Sequence, residues 1–245
     1  MTFHIITLFP EVFDAYFKES IIGKAISKRR IKVKFYDLRK FSNDKKRKKA
    51  DDKVYGGGPG MVLEPGPVVR AIEKAIGNKR QWTSDKRQGT GNKGQETRDK
   101  GQVKIILFAP AGRQFDNKIA QDLTKYKDVV LIAGRYEGVD KRIKKIFKVE
   151  EVSIGPYVLT GGEIPAMAVV DAVARQIKGV LGKDESLEEK RYGVGVPAYT
   201  RPEIFKHKGK NYRVPKVLLS GNHKEIAAWR KAHRRASPSN DKKEQ

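Results

Sequence analysis

Residues 153–165 read Ser-Ile-Gly-Pro-Tyr-Val-Leu-Thr-Gly-Gly-Glu-Ile-Pro, with three glycines and two prolines around a Tyr157-Val158-Leu159 run that reads as buried. Glycines this dense let a backbone approach another group closely, so the segment is a candidate for holding a ligand by its main chain. Two other segments share that chemistry: Ala109-Pro110-Ala111-Gly112-Arg113 and Gly134-Arg135-Tyr136-Glu137-Gly138. Each follows an apolar run, where α/β sheets bind their ligands. One such segment alone reads as a tight turn. Three at successive strand ends suit an adenine-containing cofactor. Asp171 and Arg175 stand four residues apart on the helix that follows the longest segment. That spacing fits an ordinary ion pair or an arginine held near the cofactor by a carboxylate. Tyr55-Gly-Gly-Gly-Pro-Gly-Met61 is either a mobile loop or a surface that a nucleotide approaches closely.

Other chemistries are excluded. There is no G-x-G-x-x-G between a strand and a helix, and no Walker A string. His4, His207, His223 and His233 are scattered without metal-ligand spacing, so no structural zinc is expected. The absence of cysteine removes disulfides, thiolate metal sites and thiol nucleophiles, and fits a cytoplasmic protein.

The elements that must position these segments alternate. Apolar runs at 4–9, 104–109 and 128–133, the alternating stretch 31–38, which suits a half-buried strand, and 149–154 read as strands. Helical patterns follow Pro10 and cover 67–76, 117–126, 141–147 and 163–177. The first helix is expected to carry Val12, Phe13, Tyr16, Phe17, Ile21 and Ile22 on one buried stripe. Between the second strand and second helix, a long loop carries a basic run at 45–49. Strands apolar throughout, alternating with helices, indicate an α/β fold with a mostly parallel sheet. Residues 77–102, with Trp82 their only large apolar residue, cannot bury enough surface to order themselves and read as a flexible insertion. Residues 1–178 form the first domain, 179–200 a linker, and 201–245 a smaller basic domain. In the last, Asn222 and Glu225 have capping-box spacing, and the helix after them puts Ile226, Trp229 and His233 on one face. The final ten residues read as a frayed tail.

The 245 residues include 53 Lys and Arg against 29 Asp and Glu, a formal net charge of +24. Such a charge disfavours compaction unless a polyanion is the partner. Between residues 201 and 235 stand eleven basic and two acidic residues. No apolar run reaches the length of a membrane span, and no secretory signal opens the chain.

Taken together, the strings DDKVYGGGPGM, LIAGRYEGVDKR, EEVSIGPYVLTGGEIPAMAVVDAVAR, GVLG, YTRPEIF and VPKVLLSGNHKEIAAWR resemble the bacterial tRNA (guanine-N1)-methyltransferases of the knotted SPOUT superfamily. The resemblance implies a trefoil-knotted α/β domain binding S-adenosylmethionine and a small C-terminal domain gripping the tRNA anticodon stem-loop. It also implies a homodimer with shared active sites, and a magnesium requirement. The product would be N1-methylguanosine just 3′ of the anticodon. The implied cofactor shell is Pro110, Gly112, Gly134, Tyr136, Glu137, Ile154, Gly155, Pro156, Tyr157, Val158, Leu159, Gly161, Gly162 and Pro165. Arg175 matches the family's essential arginine. The family's proton-abstracting aspartate, aligned through Ser186, falls on Lys190 here, and a charged lysine accepts no proton. Glu189, or Glu188, is the expected replacement. The rival readings are a non-catalytic RNA-binding protein and a SPOUT methyltransferase with another RNA target.

Overall fold

Side chains alternate across the strands, and the sheet sorts them onto two sides. The computed structural model describes residues 1–77, 103–182, 187 and 195–234. The expected insertion beyond Gly77, the terminal tail, and Glu188, Glu189 and Lys190 lie outside the described residues. Two compact units divide the chain, Met1–Val180 and Leu181–Gln245.

In the first unit, β1 (Thr2–Thr7), β2 (Lys32–Asp37), β5 (Val103–Gln114), β6 (Asp128–Ile132) and β7 (Val149–Ser153) form one sheet in the order β2-β1-β6-β5-β7. Every pairing in it is parallel. Phe3, Ile5, Ile106, Val129 and Leu131 face one core. It is closed by α4 (Asn117–Leu123) and α6 (Glu163–Arg175), whose Val169, Val170 and Val173 are fully buried. Ile6, Ile105, Leu107, Val130 and Ile132 face the other core, against α3 (Pro65–Ile76). Coverage on both faces explains why β6 is buried at every position and reads as an unbroken apolar run. Across β1, β2 and β6, buried His4 lies 2.9 Å from both the Tyr36 hydroxyl and Asp128 Oδ1.

Three expectations are corrected. The helix after Pro10 is not continuous. It breaks into a 3-10 turn (Pro10–Phe13), α1 (Asp14–Phe17) and α2 (Ser20–Ser27), with Ser20 left-handed at φ 55°. Phe13, Phe17 and Ile22 are buried, but Val12, Tyr16 and Ile21 remain about half exposed, because the break turns successive pieces to different directions. The pattern at 141–147 yields only the single turn α5 (Ile143–Ile146). The loop containing DDKVYGGGPGM holds an antiparallel pair, β3 (Asp51–Lys53) with β4 (Met61–Leu63). Its connection carries Gly56, Gly57, Gly58 and Gly60, all at positive φ.

The strand expected to stop at residue 109 also continues. Phe108 and Arg113 both register with Val152, so residues 109–112 bulge out of β5 before Arg113 and Gln114 pair with β7 again. Gly112 makes this return possible. A Cβ there would lie 2.5 Å from the backbone nitrogen of Val152.

In the second unit, β8 (Ile204–His207) and β9 (Lys210–Arg213) form a hairpin that sequence patterning missed. Helices Lys216–Leu219 and His223–Ala232 follow. The Asn222 side chain accepts from the N–H groups of Lys224 and Glu225. Its own N–H is satisfied by Ser220 Oγ at 3.1 Å, so the cap is built from Asn222 and Ser220. Trp229 and His233 stack at 4.1 Å, on one face as expected.

Gly112→Ala is expected to cost about 1–3 kcal/mol of stability, the range for overpacking against a part that cannot yield. Gly182→Ala, where an added Cβ meets nothing within 4 Å, is the control. Urea denaturation of both variants checks the contrast.

Candidate functional site

The chain leaves β5 to lie on one side of it as β6, then crosses to the other side as β7. The carboxyl ends of neighbouring strands therefore open around β5, as at other switch points in parallel sheets. Three backbone segments meet there. The bulge 109–112 rises from β5. Residues 134–140 follow β6, and residues 154–162 follow β7. Gly162 N–H donates to Gly134 O at 2.8 Å, and Arg135 and Gly161 form an isolated bridge. A Cβ on Gly162 would lie 2.5 Å from the Ala133 Cα, so only glycine lets the segment after β7 reach the one after β6. On the far side, β4 is laced to the 134–140 segment. Glu137 N–H donates to Met61 O at 3.0 Å, Leu63 N–H to Gly138 O at 3.0 Å, and Asp140 N–H to Leu63 O at 3.2 Å.

These segments enclose a pocket of about 480 Å³. Its walls include Pro110, Gly134, Tyr136, Glu137, Ile154, Gly155, Tyr157, Val158, Leu159, Gly161, Gly162 and Pro165. Gly112 and Pro156 are not among the walls. Gly112 instead faces the β7 backbone, and Pro156 is exposed on the loop after β7. Tyr157 and Val158 are 53% and 80% exposed. The Tyr-Val-Leu run is therefore a rim and not the buried stretch its apolar character suggests. Gly155 makes room for the Tyr157 ring, which an added Cβ would overlap at 2.2 Å. Tyr136 holds a left-handed conformation at φ 59°, uncommon for a bulky residue.

Charged groups that spacing did not reveal also shape the pocket. Glu163, 2% exposed at the start of α6, accepts the Thr7 hydroxyl at 2.8 Å. Its other oxygen lies 3.0 Å from Arg135 Nε. The Arg135 guanidinium lies over the Phe9 ring at 4.6 Å, and that of Arg39 lies 5.0 Å from the same ring. Glu151 also lines the pocket, with Lys141 on one oxygen at 3.0 Å and Lys144 on the other at 2.8 Å. The Lys144 hydrogen bond holds the Glu151 carboxyl below its ordinary range, against an opposing push from burial, with Lys141 adding to the lowering. Arg142 grips Asp140 through two nitrogens and lowers the Asp140 pKa, burial again opposing. The Thr7–Glu163 contact joins residues far apart in the chain, whereas Glu151 and Asp140 take their partners from within ten residues.

Arg175 ends α6. It stands about 15 Å along the helix axis from Pro165 at the rise of an α-helix, and it is not a pocket wall. One turn before it, Asp171 accepts a hydrogen bond from the Tyr16 hydroxyl. That bond, then burial and the Asp171 charge, pushes the Tyr16 pKa up to about 12.

Two outcomes test this electrostatic frame. Glu163→Ala leaves Arg135 without its buried partner and is expected to destabilise by about 3–5 kcal/mol in thermal or urea unfolding. Glu151, with its folded pKa depressed, contributes stability that is present above its ordinary value of 4.5 and lost as pH falls through the folded value. Glu151→Gln should therefore flatten the fall of unfolding free energy below about pH 4.5, a change that denaturation across the acid range would read.

The family description tRNA (Guanine-1)-methyltransferase TrmD matches residues 1–244. A tRNA (guanine-N(1)-)-methyltransferase of Dictyoglomus turgidum is 43% identical over 230 residues, covering 93% of this chain and 82% of the relative. One from Clostridioides difficile is 40% identical over 234 residues, covering 94% and 91%. The crystal structure of tRNA (m1G37) methyltransferase from Aquifex aeolicus superposes with a TM-score of 0.70 at 34% identity, over 95% of this chain and 88% of that one. With its parallel sheet and its pocket at the ends of β5, β6 and β7, this chain belongs to the tRNA (guanine-1)-methyltransferase family, of SPOUT architecture.

Proposed function

We propose that this protein transfers a methyl group from S-adenosylmethionine to N1 of guanosine in tRNA, at position 37 beside the anticodon. The observation that carries the reading is the glycine-walled pocket where three adjacent parallel strands end, in a chain of this family. Its volume suits a small-molecule cofactor. Leu107, Val139 and Leu159 offer apolar contact, while the glycine segments bring main-chain groups to the wall. Glu137, Glu151, Arg135 and Lys141 place both signs of charge there, to match the cationic sulfonium and the amino-acid end of the donor. The cofactor supplies the reactive methyl group, and the protein supplies orientation and electrostatics. Among the described residues no group of three His, Asp or Glu side chains could hold a metal ion, so magnesium is assigned no protein ligands and no step.

Guanine N1 carries a proton at neutral pH and must lose it before attacking the methyl group. We assign that proton to Glu189, with Glu188 as the alternative. Arg175 would donate to guanine O6 and stabilise the charge that develops as N1 is deprotonated. The distance of Arg175 from its own subunit's pocket favours a homodimer in which one copy's arginine serves the other's cofactor. Half-exposed Val12, Tyr16 and Ile21, on pieces packed near α6, supply apolar surface for such a contact. The close passage of the segment after β7 over the end of β6 supports the trefoil knot of the family fold. Residues 1–178 are read as the methyl-transfer domain, 179–200 as the linker and 201–245 as the tRNA-gripping domain. Its basic side chains, with those at 45–49, would contact phosphates while the target base is flipped out. Among the described residues no helix is long and apolar enough to cross a membrane, and the proposed location is the cytoplasm.

Mass spectrometry of a tRNA transcript with guanosine at positions 36 and 37, incubated with protein and S-adenosylmethionine, should show N1-methylguanosine at 37. Methylation at another atom or nucleotide would favour a different RNA target, and failure to bind the cofactor in calorimetry would favour a plain RNA binder. In single-turnover assays Glu189→Gln or Glu188→Gln should slow transfer by about 10²–10⁴-fold, the range for losing a general base. Normal rates for both would refute the assignment. Co-expressed Arg175→Ala and Gly161→Trp chains should regain activity that neither homodimer has, since one mixed site keeps both a sound pocket and an arginine.

A further inference from the structure

The β8–β9 hairpin belongs to the second unit and contributes no residue to the pocket wall. Ile204 is half-buried and the other strand residues are exposed. Lys208 and Gly209 join the strands, both at positive φ, 45° and 74°, as the tight primed turns of hairpins require. Two large rings left exposed on so short a hairpin are better explained by something that docks on them.

The register shows what it presents. Phe205 pairs with Tyr212 and His207 with Lys210, which places two aromatic rings, an imidazole and an ammonium on one face. Phe205 and Tyr212 are 57% and 54% exposed. The Phe205 and His207 rings are nearly parallel, 8° apart in orientation with centroids 6.3 Å apart. Lys210 shares their face and Lys208 stands in the turn, Lys206 and Arg213 project from the opposite face, and there is no acidic residue in 204–213. A second copy of this chain would bring like charge to that face. A single-stranded stretch of RNA brings phosphates for the cations and bases for the rings, the combination by which aromatic and basic surfaces hold unpaired nucleotides.

We infer that the Phe205–Tyr212 face of this hairpin is a stacking platform for an unpaired nucleotide of the RNA substrate, flanked by lysines that hold the adjoining phosphates. The inference rests on the tRNA reading above and adds to it a base-contacting element separate from the methyl-transfer pocket.

The test uses the full chain and a tRNA transcript, with affinity measured by fluorescence anisotropy between about 50 and 200 mM salt. Phe205→Leu and Tyr212→Leu keep apolar bulk but remove the ring. Each is expected to weaken binding roughly ten- to one-hundred-fold, the worth of one stacked base, with the salt slope unchanged. Phe205→Trp and Tyr212→Phe should retain wild-type affinity. Lys208→Gln and Lys210→Gln should each lower the salt slope by about 0.7–0.9. Cofactor binding in calorimetry should be the same for all. Leucine variants that bind like wild type overturn the inference. So do ring-retaining variants that lose as much as the leucine ones, which would mark a purely structural role, and so does a change of oligomeric state on sedimentation, which would mark a second copy as the occupant. Wild-type protein that binds cofactor but no tRNA overturns this inference together with the activity reading. Wild-type binding with unaffected leucine variants overturns this inference alone.

Discussion

The buried Glu163 carboxylate ties together the parts on which the pocket depends. One oxygen takes the Thr7 hydroxyl at the end of β1, and the other faces Arg135 on the segment after β6. Glu163 itself opens α6, directly after the glycine pair that crosses to β6. A charge with 2% exposure is tolerated only when it is paired and hydrogen-bonded, so the three elements must arrive together. The pocket wall is thus set by a charge that belongs to the fold's interior, with Phe9 and Arg39 extending the support outward.

Much of this arrangement was legible in the sequence because the signals were local. Unbroken apolar runs such as 128–132 announce strands buried on both faces, and the helix of 163–175 follows from its period. The glycine segments were readable as a set, since each sits just past a strand. The helix break at Ser20 was not, because the apolar spacing continues through it and the one marker, Gly23, lies three residues on, where a Cβ would meet the Lys18 carbonyl oxygen at 2.4 Å. The bulge at 109–112 was hidden for a related reason. Proline and glycine mark an interruption, yet nothing local states that the strand resumes on the same partner.

The candidate site divides in the same way. Residues that contribute backbone were found from composition. Glu151, Lys141 and the Arg135–Glu163 pair were not, because no motif or helical spacing links them to their partners, and Arg135 meets Glu163 only where the segments after β6 and β7 cross. Tyr157 and Val158 were misjudged since apolar character is shared by core and pocket rim alike, and only the fold distinguishes them. The β8–β9 hairpin escaped because its strands are exposed on both faces and so lack the apolar alternation by which half-buried strands are recognised.

The close passages at Gly112 and Gly162 bear on how descent would shape this sequence. At either position a methyl group would collide with main chain and not with a movable side chain. Purifying selection would keep those glycines in any descendant that still folds, even one whose donor-binding or proton-abstracting groups had decayed. Their persistence would record the path of the polypeptide and not the survival of the reaction. On the proposed mechanism, a lineage that had lost methyl transfer would first show it at Arg175 and around 188–190, while the glycine strings stayed intact.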